Sequence, residues 1–148
     1  MEDGTVAQDH KQMKSIWKLR ESGAEALVKE AKCFKYDISL PIESFYEIVE
    51  LMQQRLGDQG LSCGYGHLGD GNLHLNISSP HDVLHLIEPF VYEWVKSKNG
   101  SVSAEHGIGL MKASALHYSK SPESIQYMKS IKRIFDPNSI LNPYKVLL

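Results

Sequence analysis

Residues 64–78 read GYGHLGDGNLHLNIS, and the way this stretch turns decides the fold. Its opening, Gly64-Tyr65-Gly66-His67-Leu68-Gly69, has the glycine spacing of a dinucleotide fingerprint. That reading requires a helix beginning at the last glycine, with its N-terminus facing a pyrophosphate. Instead the chain continues with Asp70-Gly71 and then an alternating run, NLHLNIS. Asp-Gly flanked by alternation is a strong signal for a two-residue β-hairpin turn, so the phosphate reading is rejected. The hairpin places Gly69 opposite Asn72, Leu68 opposite Leu73, His67 opposite His74 and Tyr65 opposite Asn76. Leu68, Leu73, Leu75 and Ile77 then share one face, and Tyr65, His67, His74 and Asn76 share the other. Opposed residues carry Cβ atoms about 4.5–5.5 Å apart. Two imidazoles so placed can converge on one divalent ion at about 2.0–2.1 Å.

Outward from the hairpin, residues 33–40 alternate as a half-buried strand, with Phe34, Tyr36, Ile38 and Leu40 on one side. Cys33, Lys35, Asp37 and Ser39 point the other way. A helix begins near Pro41, with the stripe Phe45, Ile48, Val49, Met52 and Leu56, and stops at Gly57. Residues 61–66 form the first hairpin strand. A helix over about 82–98 contains Pro89, which should kink or split it. Residues 101–105 (SVSAE) read as a fourth strand. The order from 33 to 105 is strand, helix, strand, strand, helix, strand. This predicts an α+β fold with a ferredoxin-like, split-βαβ antiparallel sheet and both helices on one face. The opposite face must be solvated or covered by something else. Flanking helices are expected over about 9–31, with Met13, Ile16, Trp17, Ala24, Leu27, Val28 and Ala31 as the stripe, and from Ser121-Pro122 to Phe135. The tail, NSILNPYKVLL, reads as irregular.

The bulk properties are those of one globular domain over residues 1–148, with 33–105 as its core. Sixteen basic residues against eighteen acidic ones leave a net charge of -2, which argues against nucleic acid as the main partner. No apolar run approaches the ~20 residues of a membrane span. The N-terminal MEDGTVAQDH has neither a basic n-region nor an Arg-rich presequence, so no targeting segment is expected in the chain. Two cysteines, Cys33 and Cys63, make no disulfide framework.

A metal site needs more than two ligands. By alternation the fourth strand offers Glu105, beside His106 and the Gly107-Ile108-Gly109 turn, which would complete a two-histidine, one-carboxylate set with open positions. Lys35 lies on the same side of the sheet. Arg20 falls on the stripe of the first helix, where it could equally serve a structural ion pair. His10, His81, His85 and His117 read as surface residues. The sequons at Asn76 and Asn99 are patterns only.

GYGHLGDGNLHLNI, GSVSAEHGIGLMK and FDPNSILNPYKVL, in this order, resemble the C-terminal domain of FAD-linked 2-hydroxyacid dehydrogenases of the vanillyl-alcohol-oxidase type. The likeness runs from KSIWKLRESGAEAL to the end. It implies that FAD is bound mainly by a preceding domain missing here, which then stands as this chain's partner. It also implies a divalent metal, expected to be zinc, held by His67, His74 and Glu105, and His106 as the base that takes a hydroxyl proton. Asn76, Arg20 and Lys35 would bind a small 2-hydroxy dicarboxylate. Asn142 would touch the cofactor, an electron acceptor would serve the whole enzyme, and the location would be mitochondrial. Ala24 stands where relatives carry Thr, and Tyr144 where the commoner form has Gly. A flavin domain of about 250 residues or more lies outside this sequence, so the chain is expected to be a truncated product, inactive alone. Two other readings stay open. One is a mononuclear metal hydrolase or oxygenase on the same ligand set. The other is a non-catalytic fragment that associates through its open sheet face.

Overall fold

The computed structural model describes residues 4–148. Helix α1 (His10–Glu30) comes first, and the Asp9 carboxylate caps it by accepting from the Gln12 N–H at 2.8 Å. Strand β1 (Lys32–Ser39) leads through a 3₁₀ turn into α2 (Phe45–Leu56), which ends at Gly57, and then β2 (Leu61–His67) and β3 (Asn72–Ser79) form the hairpin. The expected third helix is split at Pro89 into α3 (Leu84–Ile87) and α4 (Phe90–Ser97). A proline interrupts the helical hydrogen-bond ladder, which is the physical reason for the division. After a long loop and a 3₁₀ segment over Ala113–Tyr118, α5 (Pro122–Phe135) closes the regular structure. The tail has no helix or strand.

The sheet runs β1-β3-β2, antiparallel throughout. β1 and β2 therefore flank β3 and are joined through α2, the split βαβ arrangement. One face carries the core. Ile38, Leu75 and Ile77 from the strands, Ile48 and Met52 from α2, Ile87 from α3, and Val91 and Val95 from α4 are fully buried together. α2 reaches β2 closely because Gly64 has no Cβ; one built there would lie 2.7 Å from Val49 Cγ2. The opposite face, expected to be open, is crossed in part by α1. Leu27 is buried there and its carbonyl accepts from Ser78 Oγ at 3.4 Å.

Two local expectations are corrected. The hairpin is slipped by two residues: His67 pairs with Asn72, Gly66 with Leu73 and Tyr65 with His74. The loop is four residues long. Leu68–Asp70 form a 3₁₀ turn and Gly71 adopts a left-handed φ of 71°. Asp70 Oδ1 accepts from the Asn72 N–H at 3.2 Å, so Asp-Gly closes the loop instead of forming its centre. Leu68 consequently leaves the core face and is exposed. The second correction concerns 101–105, which are not a strand. They make a single bridge, Ser39 with Ser101. The Asp37 carboxylate captures the N–H groups of Ala104, Glu105 and His106, and a side chain that satisfies backbone donors in this way replaces a strand ladder.

Candidate metal and substrate site

The slip leaves the chemistry in place, because a shift of two residues keeps every side chain on its own face. Tyr65, His67 and His74 remain on the face opposite the core, with the His67 and His74 rings 5.5 Å apart, edge to face. The 103–106 loop brings Glu105 and His106 over them. Glu105 Oε1 is the hub: His74 Nε2 lies 3.3 Å from it, His106 Nε2 3.6 Å and His67 Nε2 3.8 Å. The His74 and His106 rings stack, 5.3 Å apart at 20°. Three imidazole nitrogens around one carboxylate oxygen are donor types suited to a borderline-soft divalent cation and fit the implied metal, with His67, the most distant of the three, outside the group whose donor atoms all lie within 4.8 Å of one another. Burial pushes the His74 imidazole towards its neutral form, as do the like charges of His106 and His67, against the opposing pull of Asp37 and Glu105. Neutral imidazole is the ligating form.

Asp37, to the sequence only one of the polar residues of β1, organises the site. It lies directly opposite His74 on β3 and is buried. Its Oδ2 accepts from Ser103 Oγ at 3.2 Å and from the N–H groups of Ala104, Glu105 and His106 at 3.0, 2.9 and 2.8 Å. Successive N–H groups of this kind form an anion-binding concavity. Burial opposes ionisation of Asp37, but these N–H groups and the charges of His106 and Lys112 outweigh it and hold the carboxyl below its ordinary value. The donor atoms of Asp37, His74, Glu105 and His106 lie within 4.8 Å of one another. Lys112, which sequence reasoning also missed, donates to the carbonyls of Val102 at 2.7 Å and Asp37 at 3.3 Å, and burial depresses its ammonium. The sequence signal for Asp37 is its place in the polar row of β1. The pairing of β1 with β3, which the long connection between them does not reveal, is needed to use it.

The remaining expected residues are placed unevenly. Lys35 stands in register with Asn76 and is exposed, its side chain making no hydrogen bond or ion pair among the described residues. Arg20 donates to the Gly66 carbonyl at 3.0 Å and lies over the Tyr65 ring, 5.5 Å from its centroid. This puts a cation at the edge of the histidine cluster without an ion pair of its own among the described residues. Asn76 is buried, its amide nitrogen donating to the His74 carbonyl at 3.1 Å and its oxygen facing Cys33 Sγ at 3.7 Å. Ala24 lies in α1, outside the residues whose side chains are described. Beside Glu105 a cavity of about 310 Å³ is lined by Asp70, Asn72, Ser101 and Ser103, among others, and the buried Asn72 Oδ1 has no partner among the described residues. Asn142 sits in the tail with φ 46°, its oxygen accepting from Lys145 at 3.2 Å. It shares a hollow with Gly109, to whose carbonyl the Val146 N–H donates at 2.7 Å. The tail is thereby fastened beside the turn after His106.

Comparison with known proteins gives the family. The family model described as "FAD linked oxidases, C-terminal domain" matches residues 1–146. The chain is 59% identical over 148 residues to a protein of Oryza sativa subsp. indica named "Probable D-2-hydroxyglutarate dehydrogenase, mitochondrial". It is 56% identical to the Arabidopsis thaliana D-2-hydroxyglutarate dehydrogenase over 148 residues, and 52% identical to that of Danio rerio over 149 residues. Each match covers 98% of this chain but only 26–28% of the relative, so the chain spans about a quarter of their length. The chain belongs to the FAD-linked oxidases, as their C-terminal domain.

Proposed function

We propose that this chain is the metal- and substrate-binding part of a mitochondrial FAD-dependent dehydrogenase that oxidises D-2-hydroxyglutarate to 2-oxoglutarate. The observation that carries the reading is the convergence of His67, His74 and His106 on Glu105 Oε1, with cations on either side of the same face. When bound, FAD would supply the hydride acceptor and a divalent ion, zinc by the ligand set, the polarisation of the substrate hydroxyl. His67, His74 and Glu105 are the residues that would hold the ion. His106 takes the hydroxyl proton at Nε2, which lies 3.6 Å from Glu105 Oε1, and an imidazole is matched to that task near neutral pH. Arg20 and Lys35 bind the two carboxylates, Arg20 already oriented by the Gly66 carbonyl and the Tyr65 ring. Asn76, two residues after His74 on β3, acts towards the substrate, and Asn142 acts from the tail towards the flavin. Excluding water from this face requires a covering body, and the remaining three-quarters of the relatives' length is its source.

The test joins this chain to the rest of the Oryza relative in place of the matching segment and follows flavin absorbance. Bleaching by D-2-hydroxyglutarate, and its loss in His106→Ala, are expected. A chimera that retains flavin and is reduced equally well with and without His106 would contradict the proposed role of that residue.

A further inference from the structure

The geometry points to Asp37 as the positioning residue of the metal site: one carboxylate oxygen holds the 103–106 loop, and the other keeps the proton of His74 on Nδ1, so that Nε2 offers its lone pair to the ion. This rests on the reading of the histidine cluster as a metal site and adds to it a residue outside the ligand set.

The two oxygens of Asp37 have different tasks. Oδ2 receives three consecutive backbone N–H groups and the Ser103 hydroxyl. Oδ1 is buried and has no hydrogen-bond partner among the described residues. The nearest ionisable group to it is His74 Nδ1, at 3.8 Å. The other nitrogen of the same ring, Nε2, lies 3.3 Å from Glu105 Oε1. One imidazole is thus held between two carboxylates, one at each nitrogen. A neutral imidazole carries a single proton. With that proton on Nδ1, the orphaned acceptor is satisfied by a closure of under about 1 Å and Nε2 is free to ligate, while without an ion Glu105, 3.3 Å from Nε2, competes for the same proton. With it on Nε2, the proton blocks the ion and Oδ1 faces a lone pair. Asp37 acts through His74, because Oδ2 already receives four donors and Oδ1 lies 3.8 Å from His74 Nδ1, the nitrogen opposite the one that faces Glu105. Carboxylate-oriented histidines of this kind tune both tautomer and basicity. The position is enforced by backbone: Asp37 and His74 are paired across β1 and β3, and Lys112 braces the Asp37 and Val102 carbonyls behind them.

Asp37→Asn separates this role from a structural one. The three N–H groups still demand an acceptor, so the amide oxygen turns to the loop and the NH₂ group faces His74 Nδ1, driving the proton to Nε2. Shape and loop contacts are kept while the tautomer inverts. Nitrogen-15 NMR of the metal-free Glu105→Ala chain, in which the competing acceptor at Nε2 is gone, should show at pH 8.5 a protonated Nδ1 and an unprotonated Nε2 on His74, reversed when Asp37→Asn is added. Zinc affinity should fall 10- to 100-fold in the Asp37→Asn variant. A His74 protonated on Nε2 in the Glu105→Ala chain overturns the inference, and so does a folded Asp37→Asn that binds zinc as tightly as the parent. If Asp37→Asn does not fold, the His74 tautomer of the Glu105→Ala chain still decides. A parent chain that binds no zinc contradicts the metal reading, while the metal-free tautomer answers for Asp37 independently.

Discussion

Helices α1 and α2 carry the same kind of apolar stripe, and the molecule treats them differently. In α2, Ile48, Met52 and Leu56 are sealed against the sheet at 0–1% exposure. In α1, Leu27 is buried while Trp17, 55% exposed, and Val28, 51% exposed, face outward. α5 resembles α1: none of its residues is buried, and Ile131, Ile134 and Phe135 are exposed. A stripe at helical spacing states that something covers it, not that the covering lies in the same chain. Here the core-side helices close a hydrophobic cluster with the sheet, whereas α1 lies across the chemical face and brings Arg20 to the edge of the site. Among the described residues the stripes on α1 and α5 stay exposed, and the chain spans about a quarter of its relatives' length.

This contrast can be broken by substitution. Ile48→Ala in α2 should lower stability by about 3 kcal/mol, since a fully buried isoleucine leaves a cavity that the sheet cannot fill; chemical denaturation measures it, and a loss below about 1 kcal/mol would deny that this face is the core. Asp37→Ala comes next, by about 2 kcal/mol, because three backbone donors lose their acceptor. Hydrogen exchange at residues 104–106 should accelerate while the α2 amides stay protected. The same residue has a pH signature. Its carboxyl lies below the ordinary value when folded, so its contribution is complete above the unfolded-state pKa and fades as pH falls through the lowered one. Acidification below about pH 4 should therefore loosen 104–106 before the core, and retention of their protection in acid would contradict the clamp. Removing the α5 cap, Ser121→Ala, should cost about 1 kcal/mol of local helix stability. Trp17→Ala, the smallest, should change the stability of the chain by no more than about 0.5 kcal/mol. A larger loss would show that α1 is packed more firmly than its exposure implies.

The α+β class, the succession of elements as far as β3 and the helix ends were legible because alternation, proline, glycine and caps act locally. The hairpin register was not, since Asp70-Gly71 chemistry suits both the centre of a two-residue turn and the close of a four-residue one. Its parity was legible all the same, and parity is what puts His67 and His74 on one face. The fourth strand failed for a different reason. Its backbone donors go to the side chain of Asp37, about seventy residues earlier, and no local pattern announces such a capture. Of the site, the histidines and Glu105 could be read from sequence, while Asp37 and Lys112 required the β1–β3 pairing.

Calorimetric titration of zinc into the chain and into its His67→Ala, His74→Ala double variant tests the central assignment most directly. The account predicts one equivalent bound by the parent and none with comparable affinity by the variant. Equal binding by both proteins would contradict it.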